Sequence, residues 1–275
     1  MNDDFFWLVN NRIIIPEVKS EHRFIHITDL HIHAWDELST DEEKELAIKK
    51  ENDWMSGKEN FAKSSGEPFG ESQKISSIEA FEKILLLAGE LSPEAILLTG
   101  DNLDYMHPAG KRYLKNRVEE YEKNGGKIIC VPGNHESADL DGIWSSKLRV
   151  YDFKDFRIAA IDDSKKTVDE DTLIKLETLC NEGIPIIIIC HIPLSTELCK
   201  GKLEYAGPYF YIDENTDDEN GRKFISLIKN SKAIRAVICG HLHRYIKCEL
   251  SDGKAQIIGS QGMAGAVDLI TVCGE

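Results

Sequence analysis

The chain has 275 residues, of which 41% are hydrophobic and 29% are charged, as is typical of a globular protein. Its formal net charge of -15 disfavours nucleic acid and anionic membranes as partners, because both attract basic surfaces. No apolar stretch approaches the length that a membrane-spanning helix needs, so we expect no membrane segment.

Apolar runs rich in β-branched residues recur along the chain with helical patterns between them, which predicts an α/β fold. Runs without alternation, such as Ile186–Ile189, are typical of strands covered on both faces. The predicted strands are 24–28, 95–99, 127–131, 157–161, 184–190, 233–239, 256–259 and 269–272.

Helices are predicted between these strands. Ser76 and Glu79 form a capping-box pair that begins the first, and Gly89 is expected to end it. The other predicted helices are 111–123, 170–181 and 218–230.

The segment 34–73 interrupts this alternation. It is polar but contains two tryptophans and two phenylalanines, and residues 40–50 predict an acidic helix. Connections of this length are usually functional or disordered, so we expect a cap beside the functional site, with a plain surface excursion as the alternative. A second irregular stretch, 195–219, is expected to border a pocket. We predict one domain over residues 1–275.

Polar side chains directly follow five of the predicted strands. Asp29 and His31 follow the first, two residues apart, and an extended backbone would aim both the same way. In open α/β sheets this edge is where ligands bind. The residues after the other strands are Asp101 and Asp104, then Asn134 and His135, then His191, then His241 and His243.

A ligand set of Asp, His and Asn without Cys indicates Mn, Fe, Zn or Ni rather than a structural zinc site. The side chains suffice for two ions, and one carboxylate can bridge a pair roughly 3.5–4 Å apart. Such a pair polarises phosphoryl oxygens and holds a bridging hydroxide ready for in-line attack. The pattern therefore predicts metal-dependent phosphoester hydrolysis.

The ordered blocks resemble the motifs of calcineurin-like metallophosphoesterases over residues 29–243. The resemblance implies a four-layer sandwich of two mixed β-sheets flanked by helices, and two transition-metal ions, with Mn and Fe favoured. The matching blocks are Asp29-x-His31, Gly100-Asp101-x-x-Asp104, Gly133-Asn134-His135-Glu136, His191 and Gly240-His241-x-His243.

The resemblance also implies a role for each residue. His135 would protonate the leaving-group oxygen or stabilise the transition state, and Asp104 would orient it. The two ions would share Asp101. The remaining ligands would be Asp29, His31 and His243 for one ion, and Asn134, His191 and His241 for the other.

Two departures separate the chain from known branches of that family. Purple acid phosphatases have a Tyr ligand where this sequence has Asp104. Protein Ser/Thr phosphatases follow the second block with Arg-Gly, whereas Tyr105 and Met106 follow here, although Glu136 is a mild point towards them. We expect a small phosphorylated substrate. The alternatives are a phosphoprotein phosphatase and an inactive scaffold that binds a protein partner.

The remaining histidines and the cysteines carry weaker signals. His26 is out of phase with the metal blocks and is expected to pack, whereas His22 and His107 are expected at the surface. His33 is either a plain loop residue or a contact of the metal ligands. The seven cysteines show no CxxC pairing, which favours a reducing compartment and predicts a cytoplasmic protein.

Overall fold

The computed structural model describes residues 4–136, 140, 143–144 and 146–275. Its strands are β1 (Trp7–Ile14), β2 (His22–Ile27), β3 (Ala95–Thr99), β4 (Ile128–Val131), β5 (Leu148–Asp152), β6 (Arg157–Ile161), β7 (Ile186–Ile189), β8 (Leu194–Ser195), β9 (Ile212–Asp213), β10 (Ile234–Cys239), β11 (Ile246–Ser251), β12 (Lys254–Ile258) and β13 (Ala266–Cys273). Its α-helices are α1 (Asp41–Ser65), α2 (Ser77–Leu91), α3 (Pro108–Lys123), α4 (Glu170–Asn181), α5 (Lys200–Leu203) and α6 (Glu219–Asn230).

Two large mixed sheets form the centre of the fold. The first has the strand order β1-β13-β2-β3-β4, and the second has the order β11-β12-β10-β7-β6-β5. Strands β2, β3 and β4 run parallel to one another, as do β6, β7, β10 and β12. The carboxyl ends of parallel neighbours therefore meet at one edge of each sheet.

The alternation of side chains along β2 shows how the layers are arranged. Phe24 packs in the core between the two sheets, with Ile187 and Ile238 of the second sheet. Ile25 and Ile27 face the other way, into a core shared with α2 and α3. A third core joins the outer face of the second sheet to α4 and α6. The predicted sandwich of two mixed sheets flanked by helices is confirmed.

All eight predicted strands form strands, whereas β1, β5, β8, β9 and β11 were not predicted. The predicted end of α2 at Gly89 is wrong, because the helix continues to Leu91. Ser92 then adopts a left-handed conformation with φ 47°, and its N–H bonds to the carbonyl of Ala88. A hydrogen-bonded cap beyond the glycine therefore sets the end of this helix.

Within the segment 34–73, α1 is a 25-residue helix, much longer than the predicted 40–50. Thr40 and Glu43 form its capping box, and Gly66 ends it in a left-handed conformation with φ 72°. Lys58 ties it to the body of the protein, because its Nζ donates to the Ile75 carbonyl oxygen over 2.9 Å. Among the described helices none is both long and apolar enough to cross a bilayer.

Candidate metal centre

The loops that follow β2, β3, β4, β7 and β10 converge at one edge of the sandwich. Their backbones are hydrogen-bonded directly to one another, since the N–H of His31 donates to the Asp101 carbonyl oxygen over 2.8 Å. The N–H of Gly240 likewise donates to the His191 carbonyl oxygen over 3.0 Å. The nine predicted site residues therefore come together in one cluster from distant parts of the chain.

Five of the seven predicted metal ligands have a backbone in the left-handed region. This conformation costs an L-residue about 1–2 kcal/mol and is concentrated at functional sites. The prediction that Asp29 and His31 share an extended backbone is therefore wrong, although both side chains reach the same place. The five φ angles are 54° for Asp29, 43° for His31, 49° for Asp101, 74° for His241 and 50° for His243.

Two glycines allow the loops to approach this closely. A Cβ atom at Gly133 would overlap the carboxylate of Asp101, and one at Gly240 would overlap the hydroxyl of Thr28. Any larger residue at either position would push a predicted ligand out of place. The glycines beside the motif residues therefore serve close packing of the loops.

Asp29, His31 and His243 form the first ligand group. Their ligand atoms lie within 4.8 Å of one another, and His31 Nε2 lies 3.1 Å from His243 Nε2. Asp29 Oδ2 accepts hydrogen bonds from the Thr28 hydroxyl over 2.7 Å and from the His241 N–H over 2.9 Å. Asp29 Oδ1 is buried without a hydrogen-bond partner among the described residues and lies 3.2 Å from His243 Nε2.

His191, His241 and Asn134 form the second group, together with Asp101. His191 Nε2 lies 3.0 Å from the Asn134 side-chain oxygen and 3.3 Å from Asp101 Oδ2. The other ring nitrogen of His191 lies 2.8 Å from the carbonyl oxygen of Thr99, which suits an Nδ1–H donor and leaves Nε2 as a lone-pair ligand.

Asp101 lies between the two groups. Its Oδ1 accepts the backbone N–H of His135 over 2.9 Å, so Oδ2 is the oxygen free for a ligand. That atom lies 3.9 Å from His31 Nε2 in the first group and 3.3 Å from His191 Nε2 in the second. Asp101 thus has the position that a carboxylate shared by two ions requires.

The electrostatics of the cluster suit cations. Burial raises the pKa of Asp29 and of Asp101, but the neighbouring His243 and His191 outweigh burial and hold both pKa values below their usual range. The buried carboxylates of Asp29 and Asp101 therefore stay ionised. They lie beside the ring nitrogens of His243 and His191. Together with the unpartnered Asp29 oxygen, this donor set fits two transition-metal ions.

His135 lies beside both groups and is half-buried. Its Nδ1 lies 2.8 Å from the carbonyl oxygen of Asp104 and 3.2 Å from Asp104 Oδ1. Its Nε2 lies 4.0 Å from Asp101 Oδ2 and faces the cleft above the ligands. Burial lowers the pKa of His135, but the hydrogen bond to Asp104 and the charge of Asp101 raise it to about 9.

The carboxylate of Asp104 is the centre of a larger network. It lies 3.2 Å from His31 Nδ1 and 3.3 Å from His33 Nε2. From α1, Lys50 Nζ donates to it over 2.6 Å and Trp54 Nε1 over 2.9 Å. The segment 34–73 therefore borders the site, and His33 contacts the network around the ligands.

Lys50, Trp54 and Asp163 belong to the site but were missed in the sequence. Lys50 and Trp54 are one helical turn apart, a spacing that would have marked one face of a longer α1. Asp163 follows β6 as the motif residues follow their strands. It accepts the backbone N–H of His191 over 2.8 Å, and burial raises its pKa to about 6.

Glu136 has a structural role in the loops around the site. It is buried and accepts the backbone N–H of Gly133 over 2.7 Å and that of Leu103 over 2.9 Å. These bonds join the loops after β3 and β4, which carry Asp101 and Asn134. Glu136 therefore holds these two loops together.

The other histidines are all buried. His26 packs between the sheets as expected, with Nδ1 2.7 Å from Asp268 Oδ2. The predictions that His22 and His107 lie at the surface are wrong. His22 lies 3.0 Å from Glu94, and His107 caps α3 and stacks on Tyr105.

This fold and this site together define a metal-dependent phosphoester hydrolase. The family model described as calcineurin-like phosphoesterase matches residues 22–245. Because that match covers most of the chain, the protein belongs to the calcineurin-like phosphoesterase family.

Two solved structures show the same fold. A dimetal phosphatase from Danio rerio is 12% identical, with 90% of this chain and 91% of that chain covered and a TM-score of 0.52. A purple acid phosphatase from yellow lupin (Lupinus luteus) seeds is 13% identical, with 92% of this chain and 46% of that chain covered and a TM-score of 0.50. At these identities the similarity concerns the fold alone. No curated protein matches the sequence.

Proposed function

We propose that the protein hydrolyses a small phosphomonoester or phosphodiester with the help of two transition-metal ions, Mn and Fe being favoured. The observation that carries this proposal is the position of Asp101, whose Oδ2 lies within 3.9 Å of one ligand group and 3.3 Å of the other. A single metal ion would need the ligands of only one of these two groups.

Each residue of the cluster has a role in this proposal. When bound, a pair of such ions polarises the phosphoryl oxygens and lowers the pKa of a water molecule. Asp101 would be a ligand of both ions. The other ligands would be Asp29, His31 and His243 for one ion, and Asn134, His191 and His241 for the other.

His135 acts as the general acid. Although burial lowers the pKa of His135, the hydrogen bond to Asp104 raises it and favours the protonated ring, which lines the cleft and gives a proton to the leaving-group oxygen. Asp104 holds the ring from the other side through Nδ1. In this proposal His135 and Asp104 serve proton donation, and neither of them is a metal ligand.

The remaining features favour a small substrate. The net charge of -15 opposes nucleic acid as a substrate. The seven cysteines are all free, which supports the proposal of a cytoplasmic enzyme. An inactive scaffold is disfavoured, because such proteins lose ligands and all seven positions are filled here.

The test compares p-nitrophenyl phosphate with bis(p-nitrophenyl) phosphate at saturating Mn²⁺. We expect hydrolysis of at least one ester by the protein as purified without chelator, loss of that activity on chelation, and recovery when Mn²⁺ is restored. No turnover of either ester by protein that contains about two equivalents of metal would refute the proposal.

A further inference from the structure

A cleft of about 440 Å³ opens directly above the predicted ligands, a size suited to a small molecule. One side is formed by Trp54 and Phe61 of α1. The other side includes Tyr205 and Phe210, which belong to the irregular stretch between β8 and α6. The two stretches that interrupt the strand–helix alternation therefore supply aromatic rings to the same cleft.

These rings lie against the metal ligands themselves. The ring of Phe61 is 4.6 Å from that of His243, and the ring of Phe210 is 5.6 Å from that of His241. Phe61 remains 38% exposed, Tyr205 53% and Phe210 47%. Aromatic surface left open to water beside a reaction centre is suited to binding an apolar part of a substrate.

Away from the proposed metal centre and His135, the cleft has little positive charge. Arg244 is the only Lys or Arg side chain among its described lining residues, and the guanidinium lies over the ring of Tyr205 at 4.7 Å. A chain of several phosphates needs several cations, and the protein carries a net charge of -15. The cleft is therefore matched to one phosphoryl group at the metals.

We propose that the cleft selects phosphoesters that carry a single phosphoryl group and a flat aromatic ring, which binds against Phe61 and Phe210. This inference rests on the proposed function, since the phosphoryl group is taken to bind at the metal centre. Aromatic stacking accepts any flat ring, so the cleft recognises a class of substrates rather than one compound.

The test compares AMP with ribose 5-phosphate as competitors of a chromogenic ester, with the Mn²⁺-loaded protein. Both competitors carry the same phosphate on the same sugar, and only AMP has a flat ring. We expect the inhibition constant of AMP to be lower by roughly 5- to 150-fold, the range for stacking of one base on aromatic side chains. ADP should bind no more tightly than AMP.

Variants of the two phenylalanines test where the aromatic ring of the ligand binds. Phe61→Ala and Phe210→Ala should each reduce the preference for AMP and leave the inhibition constant of ribose 5-phosphate unchanged. Tyr209→Ala is the matched control, because Tyr209 is on the same stretch but is 83% exposed and outside the cleft. This variant should keep the full preference.

Three results would overturn the inference: equal inhibition by AMP and ribose 5-phosphate, a preference for AMP that survives in both cleft variants, or binding of ADP more than tenfold tighter than AMP. Failure of the proposed function is a separate result, seen as no turnover of any chromogenic ester. In that case calorimetric titration with AMP and ribose 5-phosphate still measures the preference for a ring.

Discussion

The Nδ1 atom of His135 lies 3.2 Å from Oδ1 of Asp104, and the same carboxylate oxygen lies 3.2 Å from Nδ1 of His31. Asp104 therefore contacts the proposed acid and one proposed metal ligand at once. It also accepts hydrogen bonds from Lys50 and Trp54 of α1. The helix that borders the cleft is thereby hydrogen-bonded to the residue that we propose orients the acid.

Replacement of His135 by alanine should separate chemistry from metal binding. We expect His135→Ala to keep its metal content and to lose turnover by roughly 10²–10⁴-fold, the usual contribution of a positioned acid. Elemental analysis and kcat on the same preparation measure both quantities. Loss of metal from this variant would show that His135 is a ligand.

Asp104→Asn keeps the size of the side chain and removes its charge. Because Asp104 contacts His135 and His31 and is proposed to orient the acid, we expect activity to fall by roughly 10- to 100-fold, the usual range for outer partners of a metal site. Steady-state kinetics at saturating Mn²⁺ measure this loss. Wild-type kcat would show that the contact between Asp104 and His135 has no role in orientation.

Asp101→Asn and Asp29→Asn form a matched pair of variants. Since Asp101 lies between both ligand groups, we expect its variant to bind both ions more weakly. Asp29 belongs to one group, so its variant should weaken one ion and leave the other in place. Manganese titration followed by electron paramagnetic resonance counts the bound ions. Identical stoichiometries for the two variants would contradict the shared role of Asp101.

Metal affinity should rise with pH. Burial lowers the pKa of His191, but the charges of Asp101 and Asp29 raise it to about 10 in the metal-free protein. The ring is therefore protonated at pH 7, and a metal ion has to displace that proton. We expect the Mn²⁺ dissociation constant to fall by up to about tenfold per pH unit between pH 6 and 8. An affinity independent of pH would mean that His191 binds no metal.

The packing of α1 can be tested by stability. Lys58 is fully buried, and its Nζ lies 3.6 Å from Glu51 Oε1. Lys58→Met should lower the free energy of unfolding by about 3 kcal/mol, since it removes one partner of a largely buried ion pair with Glu51. The control is Lys63→Met, which removes a pair with Glu59 on the exposed side of the helix and should have no measurable effect. Equal denaturation midpoints for both variants would show that the pair of Lys58 and Glu51 does not hold α1 to the body of the protein.

The sequence predicts the central strands because burial on both faces leaves continuous apolar runs such as Ile186–Ile189. It does not predict β1, β5, β8, β9 or β11. The burial of β1 and β11 alternates along the strand, no residue of β5 is fully buried, and β8 and β9 have two residues each, so none of them forms a continuous apolar run. Such strands form by pairing with a neighbouring strand, as β1 does with β13.

The candidate site was predicted residue by residue from the order of its motifs, and its roles remain predictions. The network around it could not be found in the same way. In the sequence nothing distinguishes Lys50 and Trp54 from other helix residues, because their contacts depend on the packing of α1 against the loop that carries Asp104. His107 was expected at the surface but is buried, because it caps α3 and stacks on Tyr105.

The most direct test of a two-ion centre is anomalous X-ray scattering from crystals soaked in Mn²⁺. The account predicts two anomalous peaks, one among Asp29, His31 and His243 and the other among Asn134, His191 and His241, with Asp101 in contact with both. A single peak, or peaks away from these side chains, would contradict it.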